Sequence, residues 1–454
     1  MSPVVSPRAA FRERRARLDR LLGGPKLFVS GLSRPRNFEH NPYPFRAESH
    51  FLYFAGASIE GAALLVDGDR TALYVEPPTD DDALWFGPRP SLDELSASLE
   101  IEVRPLAELS PRSDTALLPP QDAETAFFLA DLVHRDVEAS GGDSLDGRDA
   151  ALADAVIELR LHQDDAAIAQ LRLAASLTRD AHRAGRAATR PGVREAVVRA
   201  AMEHVMLAAD VVPAYAPIVT VHGEILHANA YHRELRDGDL LLADVGAETR
   251  EGWAGDVTRV WPVSGRFSST QRTLYEVVLA AQEAAIGAVH PGVRYLDVHR
   301  IAGQRIARGL VEAGILRGDP DDLYHRGAAA LFFPHGIGHL LGLDVHDMED
   351  LGDRAGYAPG RSRSQERGER YLRCDRDLSP GMCVTIEPGF YRIRSMLEDP
   401  EAIGDLREAV DWSVLDRFAD VRGIRIEDDV LVTAEGCEVL TREIPKQVGD
   451  VETG

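Results

Sequence analysis

Residues 240–263 read LLLADVGAETREGWAGDVTRVWPV. Two apolar runs, one ending at Asp244 and one beginning just after Asp256, flank a polar stretch whose turn centres on Arg250-Glu251-Gly252. That is the pattern of two strands joined in a hairpin. A carboxylate inside an apolar strand is costly to bury unless it is paired or metal-bound. Cross-strand neighbours on a hairpin can aim two such groups at one spot. Either Asp alone reads most simply as a turn cap, but two in matched apolar settings point to a site.

The pattern returns further along the chain. MCVTIEPGFY (382–391) sets Glu387 among apolar residues, and GIRIEDDVLVT (423–433) does the same for Glu427, although Asp428-Asp429 after it also fits a solvated strand end. Pro-Gly-Val-Arg occurs at 191–194 and again at 291–294, each time between two Ala-rich helical patterns. A repeat of this kind predicts a duplicated region in which two αβ halves close a site between them. Within it, FFPHGIGHLLGLDVHDM (332–348) places His335, His339 and His346 among glycines. A lone histidine is ordinarily structural, whereas three in one short apolar segment point to metal or substrate roles for one or two of them.

Outward from this region, a length of 454 residues exceeds what one core usually organises. In GAALLVDGDRTALYV (61–75) two strand-like runs flank Asp67-Gly68-Asp69, a hairpin signal. The polar SGGDSLDGRDA (140–150) precedes a helical pattern from about 151 to 189. The expected organisation is α/β (α+β), with a smaller N-terminal α/β domain over 1–155 and a larger C-terminal domain over 156–454.

A net charge of −23 repels phosphates and anionic lipid surfaces, so neither nucleic acid nor membrane is an expected partner. Three cysteines without metal-type spacing argue against a disulfide framework. The N-terminal stretch turns basic where a signal peptide needs an apolar run, and no stretch approaches the ~20 apolar residues of a membrane span. A reducing cytoplasm is the expected location.

Five segments together, ILHANAYHRELRDGDLLLADVGAE, WAGDVTRVWPVSGRF, PHGIGHLLGLDVHD, SPGMCVTIEPGFY and GIRIEDDVLVT, resemble the pita-bread-fold metallopeptidases that include aminopeptidase P, prolidase and methionine aminopeptidase. The resemblance implies a C-terminal pita-bread domain with pseudo-two-fold αβ halves. It implies metal ligation by Asp244, Asp256, His339, Glu387 and Glu427, with Asp256 and Glu427 bridging two ions. His227, His335 and His346 match the family's supporting and substrate-contacting histidines. Arg425 matches an arginine that holds the acidic cluster, and its spacing of two from Glu427 puts both side chains on one strand face. One departure stands out: eleven residues separate Asp244 from Asp256, where the family normally has ten. The extra residue either lengthens the turn or forms a bulge that would re-aim Asp256.

One imidazole and four carboxylates form a hard, oxygen-rich set that favours Mn(II), with Co(II) or Zn(II) as substitutes. Two such ions lower the pKa of a shared solvent molecule. Glu387 is then the expected proton shuttle to the leaving amine, and His346 or His335 the donor to the developing oxyanion. The resemblance implies cleavage between an N-terminal residue and a following proline.

NPYPFRAESHFLYFAG (41–56) and ALWFGPRP (83–90) resemble the N-terminal domain of aminopeptidase P. There, Trp85 matches a tryptophan that reaches a neighbouring subunit's active site, which implies a homodimer or homotetramer. YLRCDRDLSPGM (371–382) and the insertion 394–422 look instead like eukaryotic prolidase, where Arg373 matches an arginine that binds a dipeptide carboxylate. Xaa-Pro dipeptidase is therefore the alternative activity. A non-catalytic pita-bread binding module, or a metal-free creatinase-like enzyme, is disfavoured because all five ligand positions are filled.

Overall fold

A computed structural model describes residues 4–38, 40–139 and 142–453 of the chain. Of the polar linker expected at 140–150, Ser140 and Gly141 lie outside the described residues. The chain forms two compact units, Met1–Gln170 with Met348–Ala355, and Leu171–Asp347 with Gly356–Gly454. Among the described residues, no helix is long and apolar enough to cross a membrane.

The first unit is built on β1 (Lys26–Val29), β2 (Ala63–Val66), β3 (Ala72–Val75), β4 (Glu102–Pro105) and β5 (Ala116–Leu117), ordered β4-β3-β2-β1-β5. The first three strands pair antiparallel, while β4 and β5 join in parallel at the two edges. The hairpin expected at Asp67-Gly68-Asp69 is present: Leu64 pairs with Leu73, and a 3₁₀ turn over Gly68–Arg70 closes it. β1, β2 and β3 are buried on both faces, so they read in sequence as largely apolar runs. Leu27, Leu65, Tyr74 and Leu129 lie in their core.

The second unit repeats itself, as Pro-Gly-Val-Arg predicts. Gly192 and Gly292 both adopt φ 86, a left-handed conformation that favours glycine. After each turn the Arg occupies the N-cap position of a helix, Glu195–Ala208 in the first half and Tyr295–Glu312 in the second. The bonds match too: Gly192 N–H donates to Leu235 O at 2.9 Å and Gly292 N–H to Leu378 O at 2.8 Å.

The strands of the first half are β6 (Val212–Pro213), β7 (Ile218–Thr220), β8 (Leu240–Asp244), β9 (Ala247–Glu248) and β10 (Thr258–Pro262). Those of the second are β11 (Cys383–Ile386), β12 (Gly389–Tyr391), β13 (Gly423–Arg425), β14 (Asp428–Val432) and β15 (Cys437–Val439). β8 pairs antiparallel with β10, and β11 with β14. Each pairing places one acid at or directly after the end of the first strand and another just before the second. Asp244 and Asp256 hold those places in the first half, Glu387 and Glu427 in the second.

The extra residue between Asp244 and Asp256 sits in the turn. Asp244 pairs with Thr258, Val245 N–H donates to Val257 O, Glu248 bridges to Ala254, and Thr249 N–H reaches Trp253 O. That register never slips, so no bulge flanks Asp256. Gly252, at φ 89, turns the chain where the sequence places it. Register also explains Gly246, where a Cβ would lie 1.7 Å from Gly255 O on the facing strand.

Candidate metal centre

The two hairpins converge on a cavity of about 500 Å³ in the second unit, lined by Asp244, Asp256, His339, Glu387 and Glu427. Asp256, His339 and Glu427 each offer one ligand atom, and these three atoms lie within 4.8 Å of one another. His339 Nε2 is 3.3 Å from Asp256 Oδ2 and 3.7 Å from Glu387 Oε1. Its other nitrogen, Nδ1, donates to Leu340 O at 3.0 Å. This carbonyl contact fixes the ring so that Nε2 faces the carboxylates, the orientation of a metal-ligating histidine.

Cross-strand bonds aim the acids. The Tyr215 hydroxyl lies 2.6 Å from both Asp244 Oδ1 and Asp256 Oδ1. Arg425 donates from Nη2 to Asp244 Oδ2 at 2.5 Å and from Nε to Thr258 Oγ1 at 2.8 Å. The Thr258 hydroxyl in turn donates to Glu427 Oε2 at 2.6 Å. The Asp256 amide donates to the Asp429 carboxylate at 3.2 Å. Asp429 is thus buried and bonded, and Asp428-Asp429 is not the solvated strand end that the sequence also allowed.

Crowding dominates the electrostatics. Burial, then repulsion from Asp256, Glu387 and Asp244, pushes Glu427 well above the ordinary carboxylate range. Burial also raises Asp244, where Asp256 adds to the shift and Arg425 opposes it. Glu387 is driven by burial up to about 7, against the pull of His339 and Arg425. Burial disfavours charge on His339, yet Asp256 and Glu387 override it and hold the ring at about 9. Four carboxylates beside one guanidinium and one imidazole can ionise together only next to further positive charge. Hard divalent cations supply that charge, and the donor set fits them.

The remaining expected residues separate into distinct settings. His335 donates from Nδ1 to Gly336 O at 2.8 Å and accepts at Nε2 from the Tyr391 hydroxyl, also at 2.8 Å. Burial, followed by the nearby Arg425, pushes it down to about 3, so the ring is neutral with both nitrogens engaged. The His346 ring stands 4.3 Å from that of His339. His227 and Arg373 line the same cavity, and Ile393 and Met396 bring an apolar edge to it. Trp85 belongs to the first unit, where it is 75% exposed rather than packed in that unit's core.

Sequence reasoning missed Tyr215, Thr258 and Tyr391. Thr258 had a signal, because it lies two residues from Asp256 at the start of a strand and so shares its face. Tyr215 had none, since it reaches Asp244 and Asp256 across 29 and 41 residues of sequence.

Residues 169–434 match the profile of metallopeptidase family M24, and residues 11–121 that of the aminopeptidase P N-terminal domain. The probable Xaa-Pro aminopeptidase PEPP of Uncinocarpus reesii is 32% identical over 90% of this chain and 85% of its own. The human Xaa-Pro dipeptidase is 31% identical over 90% of this chain and 84% of its own. Among solved structures, zinc-substituted E. coli aminopeptidase P in complex with product superposes with a TM-score of 0.79. The two share 29% identity over 99% of this chain and 98% of that one.

Proposed function

The chain belongs to metallopeptidase family M24, and from that premise we propose that it hydrolyses the bond between an N-terminal residue and a following proline. The observation that carries this is the convergence of His339 and four carboxylates, in two pairs from two equivalent hairpins, on one open cavity. Relatives named as Xaa-Pro aminopeptidases, matched along nearly their whole length, support the substrate class.

Asp244, Asp256, His339, Glu387 and Glu427 would hold two divalent ions, with Asp256 and Glu427 shared between them. Mn(II) is the proposed occupant, with Co(II) or Zn(II) as substitutes. When bound, such a pair supplies Lewis acidity that lowers the pKa of water and polarises a carbonyl. The chain's own groups do the rest. Glu387, the least buried acid of the set, takes a proton from the attacking water and returns it to the leaving proline nitrogen. His346 donates to the carbonyl oxygen as negative charge develops there. Tyr391 and Arg425 hold His335 and Asp244 in place. We place the enzyme in the cytoplasm as a homodimer or homotetramer, with Trp85 contributing to a neighbouring subunit's pocket.

The second reading, Xaa-Pro dipeptidase, draws on Arg373 at the cavity wall and on the human relative. Comparing Xaa-Pro-Yaa tripeptides with Xaa-Pro dipeptides on the Mn(II)-loaded protein separates them. Tripeptides cleaved at least as well as dipeptides are expected. Strict dipeptide cleavage would make the protein a dipeptidase, and no cleavage of either would remove the peptidase reading.

A further inference from the structure

We propose that the catalytic unit carries a second ligand site, for a zwitterion of the amino-acid or short-peptide class, in a cavity backing onto the metal centre. This cavity measures about 450 Å³ and shares no lining residue with the one that holds the carboxylates. The helix Tyr295–Glu312 supplies His299 and Arg300, and the loop before Tyr371 supplies Glu366, Arg367 and Glu369.

The ligand class follows from which of these charges are already satisfied. Arg300 is engaged by Glu369, Nε to Oε1 at 2.9 Å. Glu366 and Arg367 also line the cavity, and neither has an ion-pair partner among the described residues. A simple anion would face the carboxylates of Glu366 and Glu369, and a simple cation the guanidiniums of Arg300 and Arg367. A molecule carrying both an ammonium and a carboxylate meets one free charge of each sign. His299 adds a buried polar wall to the cavity: it is 3% exposed and lies beside the Gly368 backbone and Glu369. Burial lowers the His299 pKa to about 4, so the ring adds no charge near neutral pH.

The two cavities share a wall. Phe333 lines the second cavity and the adjoining Pro334 and His335 line the first. Likewise Glu369 lines the second, and Tyr371 and Arg373 line the first. The Phe333 ring lies 5.5 Å from His299 on one side and stands edge-on to His335 at 4.9 Å on the other. Close-packed walls transmit displacement, so an occupant that presses Phe333 or Glu369 alters His335 or Arg373. Free amino acids and peptides are also what the proposed reaction releases. Only this link to turnover rests on the peptidase reading; binding itself does not.

The test uses the Mn(II)-loaded full chain and L-alanine as probe, followed by saturation-transfer NMR. N-acetylalanine and alaninamide, each lacking one charge, serve as controls. L-alanine binding should be lost in Arg367→Ala and Glu366→Gln, and the controls should bind poorly to the native protein. With peptide substrate saturating, L-alanine should shift kcat on the order of fivefold in the native protein and leave it unmoved in both variants, whose kcat without alanine stays native. If Arg367→Ala proves unfolded by circular dichroism, the isosteric Glu366→Gln carries the test alone. Alanine binding untouched by the substitutions, or equal binding of N-acetylalanine, would overturn the proposal. Binding without peptidase activity would keep the site and remove the peptidase reading; activity without binding would do the reverse.

Discussion

The two halves of the catalytic unit place their acids alike and use them differently. Asp244 ends its strand and Glu387 directly follows its own, and Asp256 and Glu427 each precede the partner strand, but the pairing is offset: Asp244 lies opposite Thr258, whereas Ile386 lies opposite Asp428 and so Glu387 opposite Glu427. The third strand position diverges. Ile218 pairs with Asp244, and two residues on stands Thr220; Glu387 N–H donates to Ile337 O, and two residues on stands His339. Thr220 spends its hydroxyl on the buried Glu195 at 3.0 Å, so the first half offers no imidazole there. The second half alone supplies His335, His339, His346, Arg373 and Arg425. A duplicated hairpin therefore explains the paired carboxylates, whereas most of the cavity's other polar lining comes from the second half, with His227 contributed by the first.

If the acids are equivalent, removing either inner one should have the same, very large effect. Asp256→Ala and Glu427→Ala are each expected to abolish activity and most metal binding, read by metal analysis and turnover side by side. A bridging carboxylate serves both ions, so neither ion should survive its loss intact. Full metal content with normal turnover in one variant but not the other would break the equivalence.

The residue after each inner acid differs sharply, Val257 in the first half and Asp428 in the second. Asp428 is buried and accepts from Arg259 Nη2 and Lys446 Nζ, both at 2.6 Å, and from Gln282 at 2.7 Å. Asp428→Val would copy the first half but strand those cations, so a stability loss of about 3–5 kcal/mol is expected in denaturant titration. A loss under about 1 kcal/mol would mean the halves are interchangeable here. The pH dependence has a definite sign. Burial raises the Asp428 pKa, but Arg259 and Lys446 reverse this and hold it at about 2, below the unfolded value of about 3.9. Its contribution is thus full above pH ~4 and lost as pH falls through ~2, a loss that Asp428→Val should not show.

Much of this was legible in sequence because it is local. Pro-Gly-Val-Arg marks both turns, since only glycine readily takes the φ of 86 found at its second position. Acids stand out in apolar runs because burial there demands a partner. What was hidden is long-range. Tyr215 holds two acids distant in sequence. His335 has both nitrogens engaged only because Tyr391, 56 residues away, arrives there. The fate of the extra turn residue became readable once the strand register was known. The second cavity combines a helix face with a loop some 70 residues later, so no motif announces it.

That hidden contact ranks the two histidines. His346→Ala should lower kcat about 10²–10³-fold, the usual cost of losing one transition-state donor, while the metal stays bound. His335→Ala should cost less, because a ring that donates to Gly336 O and accepts from Tyr391 has no proton left for substrate. Metal content and kcat measured together decide the matter. Loss of metal in either variant would make that histidine a ligand and double the imidazole count of the second half.

The smallest effect is one of selectivity, and it also belongs to the second half alone. Arg373 lines the cavity from the loop after Tyr371, and Ile393 and Met396 line it from the insertion between β12 and β13. A guanidinium there favours a free carboxylate through a charge-assisted bond, which a dipeptide offers directly after proline and a longer peptide does not. Arg373→Ala should therefore reduce kcat/KM for Xaa-Pro dipeptides on the order of tenfold and leave Xaa-Pro-Yaa peptides nearly unchanged. If the proposed oligomer forms with the exposed Trp85 in a neighbour's pocket, Trp85→Ala should raise KM for both. If Arg373→Ala instead damages tripeptides equally, Arg373 supports the cavity wall rather than reading the carboxylate. Selectivity would then have to reside in Ile393 and Met396, at the apolar edge of the same wall.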